Sequence, residues 1–149
     1  MNIIKLHKSP LLEIFSANVE THIELKFVEQ GIMAGFPSPA QDFLDMSIDL
    51  NKELIKHPSA TFYARVKGNS MQDMGINDGD LLVVDKSLEP ANGKVAVCYI
   101  DGEFTVKKMK IEKDCVYLIP ANPQFTAIKV TRDNEFIVWG IVIHVIKSY

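Results

Sequence analysis

From Thr61 onward the chain is built of short β-branched and aromatic runs separated by turn residues. The runs are Thr61–Val66, Asp80–Asp85, Lys94–Ile100, Glu103–Met109, Cys115–Ile119 and Phe136–Ile143. Side chains of this kind fit a pleated, half-buried surface, and runs of this length bounded by Gly, Asp, Asn and Pro read as strands. Asp101-Gly102 sits between two of them and is a strong two-residue hairpin signal. The pattern predicts a mainly β protein with a bent, partly closed antiparallel sheet.

The N-terminal part follows a different rhythm. Between Thr21 and Glu29, Ile23, Leu25 and Phe27 alternate with Glu24 and Lys26, the period of a half-buried strand. That pattern breaks at Gly31 and at Pro37 and Pro39, which predicts a flexible joint. Asp49–Lys56 reads as a short helix, with Asp49 near its N-cap, Leu50, Leu54 and Ile55 on one face, and Pro58 closing it. The expected organisation is a tail followed by one β-rich domain, with no internal repeat.

Composition narrows the function. The 149 residues, 47% of them hydrophobic and 23% charged, are enough for an adequate core. Sixteen basic against nineteen acidic residues give a net charge of −3, so no broad cationic field is available for direct, sequence-specific DNA binding. Cys98 and Cys115 lie in apolar runs without Cys-x-x-Cys spacing. Both read as buried, reduced thiols, and no metal or other cofactor is expected. No apolar run approaches the roughly 18 residues of a membrane span and no signal peptide is visible, so a cytoplasmic protein without a membrane partner is expected.

One pair of motifs carries candidate chemistry. Gly68-Asn69-Ser70-Met71 offers a serine behind a glycine, and Lys107-Lys108 offers a base. A serine hydroxyl needs a neighbouring base, and a lysine stripped of water can supply it, because burial disfavours the ammonium form. Ser-Lys pairs are a known variant of the serine triad. Gly68 lets the chain turn sharply, and a helical turn starting at Ser70 leaves amides free, Ser70's own among them, to serve as an oxyanion hole. Strand alternation does not choose between the lysines: Phe104 and Val106 share a face with Lys108, Thr105 and Met109 with Lys107. Taken alone, the serine segment also reads as a surface loop, and the lysines as a solvated strand edge.

The histidines His7, His22, His57 and His144 show no metal spacing, and a Ser70-His57-Asp triad is the weaker alternative because His57 precedes Pro58 at a helix end. Asp78-Gly79-Asp80 and Asp85 lack a calcium-binding loop and read as turn formers.

A wider string of landmarks decides between these readings. It runs from Ala34-Gly35-Phe36-Pro37-Ser38-Pro39-Ala40 through Ile48-Asp49-Leu50-Asn51 and His57-Pro58-Ser59-Ala60-Thr61. It continues with Gly68-Asn69-Ser70-Met71, Asp78-Gly79-Asp80-Leu81-Leu82-Val83-Val84-Asp85, Asp101-Gly102-Glu103-Phe104-Thr105-Val106-Lys107-Lys108 and Val142-Ile143-His144-Val145. In this order they resemble the UmuD group within the LexA family of self-cleaving serine peptidases, and the first 33 residues match least.

The resemblance implies a LexA-like sheet in which Ser70 is the nucleophile and Lys107 the general base. It implies that the protein cuts its own Ala34–Gly35 bond, removing a tail of residues 1–34 and leaving residues 35–149. Small residues at that bond suit a tight cleft, and Gly35 allows a kink, although the segment alone would pass for a glycine-punctuated linker. Further implications are a homodimer, stimulation by a RecA filament on single-stranded DNA, and a product that joins a UmuC-like subunit of a translesion DNA polymerase. A LexA-like repressor fragment fits less well, since the 34 residues before the bond are too few for a helix-turn-helix module and linker. The other alternative is a non-enzymatic polymerase-binding module with an idle dyad.

Overall fold

The computed structural model describes residues 5–8, 12–20, 24–27 and 46–149. The chain divides into two units, one built on Asn18–Lys56, the other on Asn2–Ala17 together with His57–Tyr149.

The smaller unit carries the strand expected near Thr21–Glu29 and a partner that was not expected. Glu24–Phe27 (β3) pairs antiparallel with Met46–Asp49 (β4), and the short helix Leu50–Leu54 (α1) follows directly. Asp49 is its N-cap, as the sequence predicts, with the carboxylate accepting from the Asn51 amide at 3.0 Å. The anticipated apolar face does not materialise: Leu50 is 46% exposed and no residue of α1 is buried. The helix ends one turn in, and Ile55, in extended backbone, is the buried residue instead.

The larger unit is built on a nine-stranded sheet in which every neighbouring pair is antiparallel. Its strands are Lys5–Lys8 (β1), Leu12–Ser16 (β2), Thr61–Val66 (β5), Leu81–Asp85 (β6), Val95–Ile100 (β7), Glu103–Ile111 (β8), Val116–Ile119 (β9), Ile128–Val130 (β10) and Phe136–Ile146 (β11). The spatial order is β1-β2-β5-β6-β11-β7-β8-β9-β10. The Asp101-Gly102 hairpin forms between β7 and β8, with Asp101 at φ 47°.

The sheet curls at β11. Residues 136–141 of this strand pair with β7 and residues 141–146 with β6, and the register shifts between Val138 and Gly140 and again between Val142 and His144. Such bulges bend a strand and increase its twist. Gly140 is required at the crossing, because a Cβ there would lie 2.6 Å from Val84 Cγ1 and 3.3 Å from Lys86 Cγ.

Two apolar clusters hold the unit together. One joins Leu12, Ile14, Ala64, Leu82, Val84 and Val97 to Met71 and Val106, and the other gathers Ala96, Cys98, Met109, Leu118, Val130 and Ile141. Leu12 and Ile14 show that the segment expected to be a tail supplies core residues, since β2 pairs with β5 from Leu12↔Val66 to Ser16↔Phe62. Cys98 is fully buried as expected, whereas Cys115, which immediately precedes β9, is only half-buried and lies outside both clusters. Among the described residues no helix is long and apolar enough to cross a membrane.

Candidate active site

The turn that carries Ser70 grows out of the end of β5. Gly68 takes φ +90°, a backbone region closed to most side chains, and its amide donates to Asp78 Oδ1 at 2.8 Å. The Asp78-Gly79-Asp80 turn then closes back on β5: the Gly79 amide donates to Val66 O, and the Val66 amide to Asp80 O, each at 2.9 Å. Asp80 is itself held, its Oδ2 accepting from the Asn77 amide and from Lys147 Nζ. These acidic residues are therefore turn formers, as their spacing suggests.

After Ser70 the chain makes one tight 3₁₀ turn, Gln72–Met74, ended by Gly75 in the left-handed region. Met71, only 2% exposed, anchors this turn in the core. Among the described residues the amides of Asn69, Ser70 and Met71 donate to no acceptor. A run of free amides beside a hydroxyl is the arrangement that an oxyanion requires.

Lys107 comes from the middle of β8, and burial separates it from its neighbour. Thr105, Lys107 and Met109 point inward while Lys108 is exposed, so of the two lysines Lys107 is the one on the buried face. Its Nζ lies 3.0 Å from Ser70 Oγ, 2.8 Å from Thr105 Oγ1 and 3.0 Å from Val106 O. Only 7% of the residue is exposed. Burial pushes the Lys107 pKa below the ordinary lysine value. The Cys98 thiol is driven the other way by its own burial, up to about 12, and so stays protonated.

Nζ donates to all three, as an ammonium does, and the neutral amine that burial favours keeps two of these bonds. Such an amine has two N–H groups and one lone pair. Val106 O can only accept, and Thr105 Oγ1 can accept the second hydrogen. The lone pair is then left facing the Ser70 hydroxyl, the geometry of a general base.

A cleft of about 330 Å³ opens beside the pair, lined by Ser70, Thr105 and Lys107 together with the apolar Ile100, Phe125 and Ile128. His57 takes no part in it. Its Nδ1 lies 2.6 Å from Asp85 Oδ2, while Asp85 Oδ1 accepts from the Ser87 amide and hydroxyl. The alternative triad is thus replaced by a structural His57–Asp85 pair. Ala34 and Gly35 lie outside the described residues.

The family model for Peptidase S24-like proteins matches residues 26–143, most of the chain. The chain belongs to the Peptidase S24-like family. The matched span includes Ser70 and Lys107 as well as Ala34 and Gly35. The chain is 40% identical to Protein MucA of Salmonella typhimurium over 136 residues, covering 89% of this chain and 92% of that protein. It is 42% identical to Protein SamA of Salmonella typhimurium strain LT2 over 109 residues, 73% of this chain and 75% of the relative. Protein ImpA of Escherichia coli is 40% identical over 114 residues, 76% and 77% of the two chains. The likeness drawn from sequence landmarks thus holds at the level of the family.

Two residues of the site were not legible beforehand as contributors. Thr105 carries a faint signal, being two positions before Lys107 on a strand and hence on the same face. Asn122 carries none, because in Pro120-Ala121-Asn122-Pro123 it reads only as a turn residue.

Proposed function

We propose that this chain is a self-cleaving serine peptidase of the bacterial SOS mutagenesis response, cutting its own Ala34–Gly35 bond. The observation that carries the proposal is the 3.0 Å approach of a buried Lys107 Nζ to Ser70 Oγ. Neutral Lys107 takes the Ser70 proton as Oγ attacks the Ala34 carbonyl carbon. The negative charge that develops on that carbonyl oxygen is met by free amides of the nucleophile turn, Ser70's own among them. One such donor contributes roughly 3 kcal/mol to transition-state stabilisation. The tetrahedral intermediate collapses, the C–N bond breaks, and the Gly35 nitrogen leaves with the proton held on Lys107. Water, deprotonated by Lys107, then attacks the Ser70 ester, the proton passes from Lys107 to the departing Ser70 Oγ, and the Ala34 carboxylate is freed.

The cleft fits this use. A docked peptide segment would cover Ser70 and Lys107 and exclude water, which favours the neutral amine. On this reading, which the resemblance to the UmuD group supports, the protein works as a homodimer in the cytoplasm, stimulated by a RecA filament on single-stranded DNA. Its product, residues 35–149, then serves as accessory subunit of an error-prone translesion polymerase, in contact with a UmuC-like subunit.

Intact-mass analysis after incubation at alkaline pH tests the chemistry. The parent should yield a fragment beginning at Gly35, and Ser70→Ala and Lys107→Ala should stay whole. Cutting at another bond, or in the Ser70→Ala variant, overturns the proposal. So does a parent that remains whole even with RecA, single-stranded DNA and a nucleotide.

A further inference from the structure

The turn carrying Ser70 is gripped from one side by the loop that follows β9. Ala121 supplies two backbone bonds: its amide donates to Ser70 O, and its carbonyl accepts from the Asp73 amide, both at 2.8 Å. Asn122 adds a side-chain bond, Nδ2 donating to Asn69 O at 2.9 Å, while its Oδ1 accepts from the Gln124 amide, also at 2.9 Å. Asn122 is only 4% exposed, so both ends of its amide are committed in a setting where an unmet polar group is costly.

The carbonyl that Asn122 holds matters because of peptide geometry. Asn69 C=O and Ser70 N–H belong to one planar trans unit and point in opposite directions. Fixing the carbonyl therefore fixes the direction of the Ser70 amide. A second donor to Asn69 O, the Gln72 amide, is longer at 3.2 Å and belongs to the same turn, so it moves with it. Among the described residues Asn122 is the side chain that ties this peptide to a separate part of the sheet.

The geometry points to Asn122 as a positioning residue that locks the Asn69–Ser70 peptide plane, so that the Ser70 N–H faces the cleft as an oxyanion donor. Its side chain hydrogen-bonds to neither nucleophile nor base and acts only through that plane. This rests on the reading of Ser70 as nucleophile given above. Its consequence is specific: Asn122 governs the limiting rate of self-cleavage and leaves the pH at which Lys107 becomes neutral untouched.

Two substitutions separate this from a merely structural role. Asn122→Ala removes both bonds, whereas Asn122→Asp keeps the acceptor for the Gln124 amide and replaces the donor with an oxygen facing Asn69 O. If Asn122 only shapes its own loop, Asp rescues the function. If it locks the peptide plane, Asp is at least as damaging as Ala.

The experiment is the pH–rate profile of self-cleavage for the parent and both variants, together with the N–H residual dipolar coupling of Ser70 in the uncut protein. The expected result is a plateau about 10- to 100-fold lower in both variants, short of the larger loss from deleting an oxyanion donor outright. The midpoint should be unmoved in Asn122→Ala, and the Ser70 coupling changed. Parent-like cleavage in Asn122→Asp, a shifted midpoint with an unchanged plateau in Asn122→Ala, or an unaltered coupling overturns the inference. A parent that never cuts while the coupling still changes sinks the nucleophile reading alone, and the lock on the peptide plane stands.

Discussion

Ser70 Oγ and Lys107 Nζ lie 3.0 Å apart although 37 residues separate them in sequence. The sheet makes this meeting possible. Ser70 sits just beyond the end of β5, and Lys107 is central in β8, four strands away in the sheet order. Only a curled sheet brings two such positions to one cleft, and the curl is set by the bulges of β11 and by the absence of a side chain at Gly140.

Thr105 should matter to the reaction without touching the substrate. Its Oγ1 accepts from Lys107 Nζ at 2.8 Å, so that once the amine is neutral one of its two N–H groups is held there and the lone pair is left for Ser70. Thr105→Val keeps the shape and removes that acceptor, so self-cleavage should slow by about tenfold, within the contribution of a well-placed general base. Thr105→Ser should retain most of the rate. Equal rates in parent and Thr105→Val would show that the hydroxyl does not orient the amine.

Leu12 should be a stability residue despite its place in the proposed tail. It is fully buried, in register with Val66, and part of the larger cluster. Leu12→Ala should cost about 2–5 kcal/mol, the range for a core leucine. Urea unfolding of the uncut protein measures this directly, and a loss below about 1 kcal/mol would mean that β2 adds little to the core.

Asp85 should shape the acid limb of stability. Burial alone would raise its pKa, but donors from Ser87 and His57 outweigh that and hold the carboxyl below the ordinary value of 3.8. A depressed folded-state pKa gives stability that is complete above the unfolded pKa and lost as pH falls through the folded one. The parent should therefore lose more stability than Asp85→Asn between about pH 5 and the most acid conditions that it survives. Parallel losses in urea titrations would remove Asp85 from the account.

Much of this architecture is legible in the chain. The strands from Thr61 onward announce themselves because alternation, β-branched content and turn residues agree, and Gly68 and Asp101-Gly102 mark the places where φ must become positive. Strands β1 and β2 do not, because Ser9-Pro10 and the run Leu11-Leu12-Glu13-Ile14-Phe15 blur the alternation, and only pairing with β5 makes Leu12–Ser16 a strand. Strand alternation leaves Lys107 and Lys108 open as the candidate base and the resemblance points to Lys107, while the burial of Lys107 and the exposure of Lys108 follow from packing that no local pattern records. Asn122 was invisible for a further reason, since its partner Asn69 is 53 residues distant and no local pattern records the contact.

The pH dependence of self-cleavage, followed by intact mass in the parent and in Lys107→Ala, tests the central claim that a buried, neutral Lys107 activates Ser70. Because burial lowers the Lys107 pKa, the rate should climb about tenfold per pH unit and then level off. Its midpoint should fall below the ordinary lysine value of 10.5, and Lys107→Ala should be silent throughout. A rate that does not change with pH, or cutting that persists in Lys107→Ala, would contradict it.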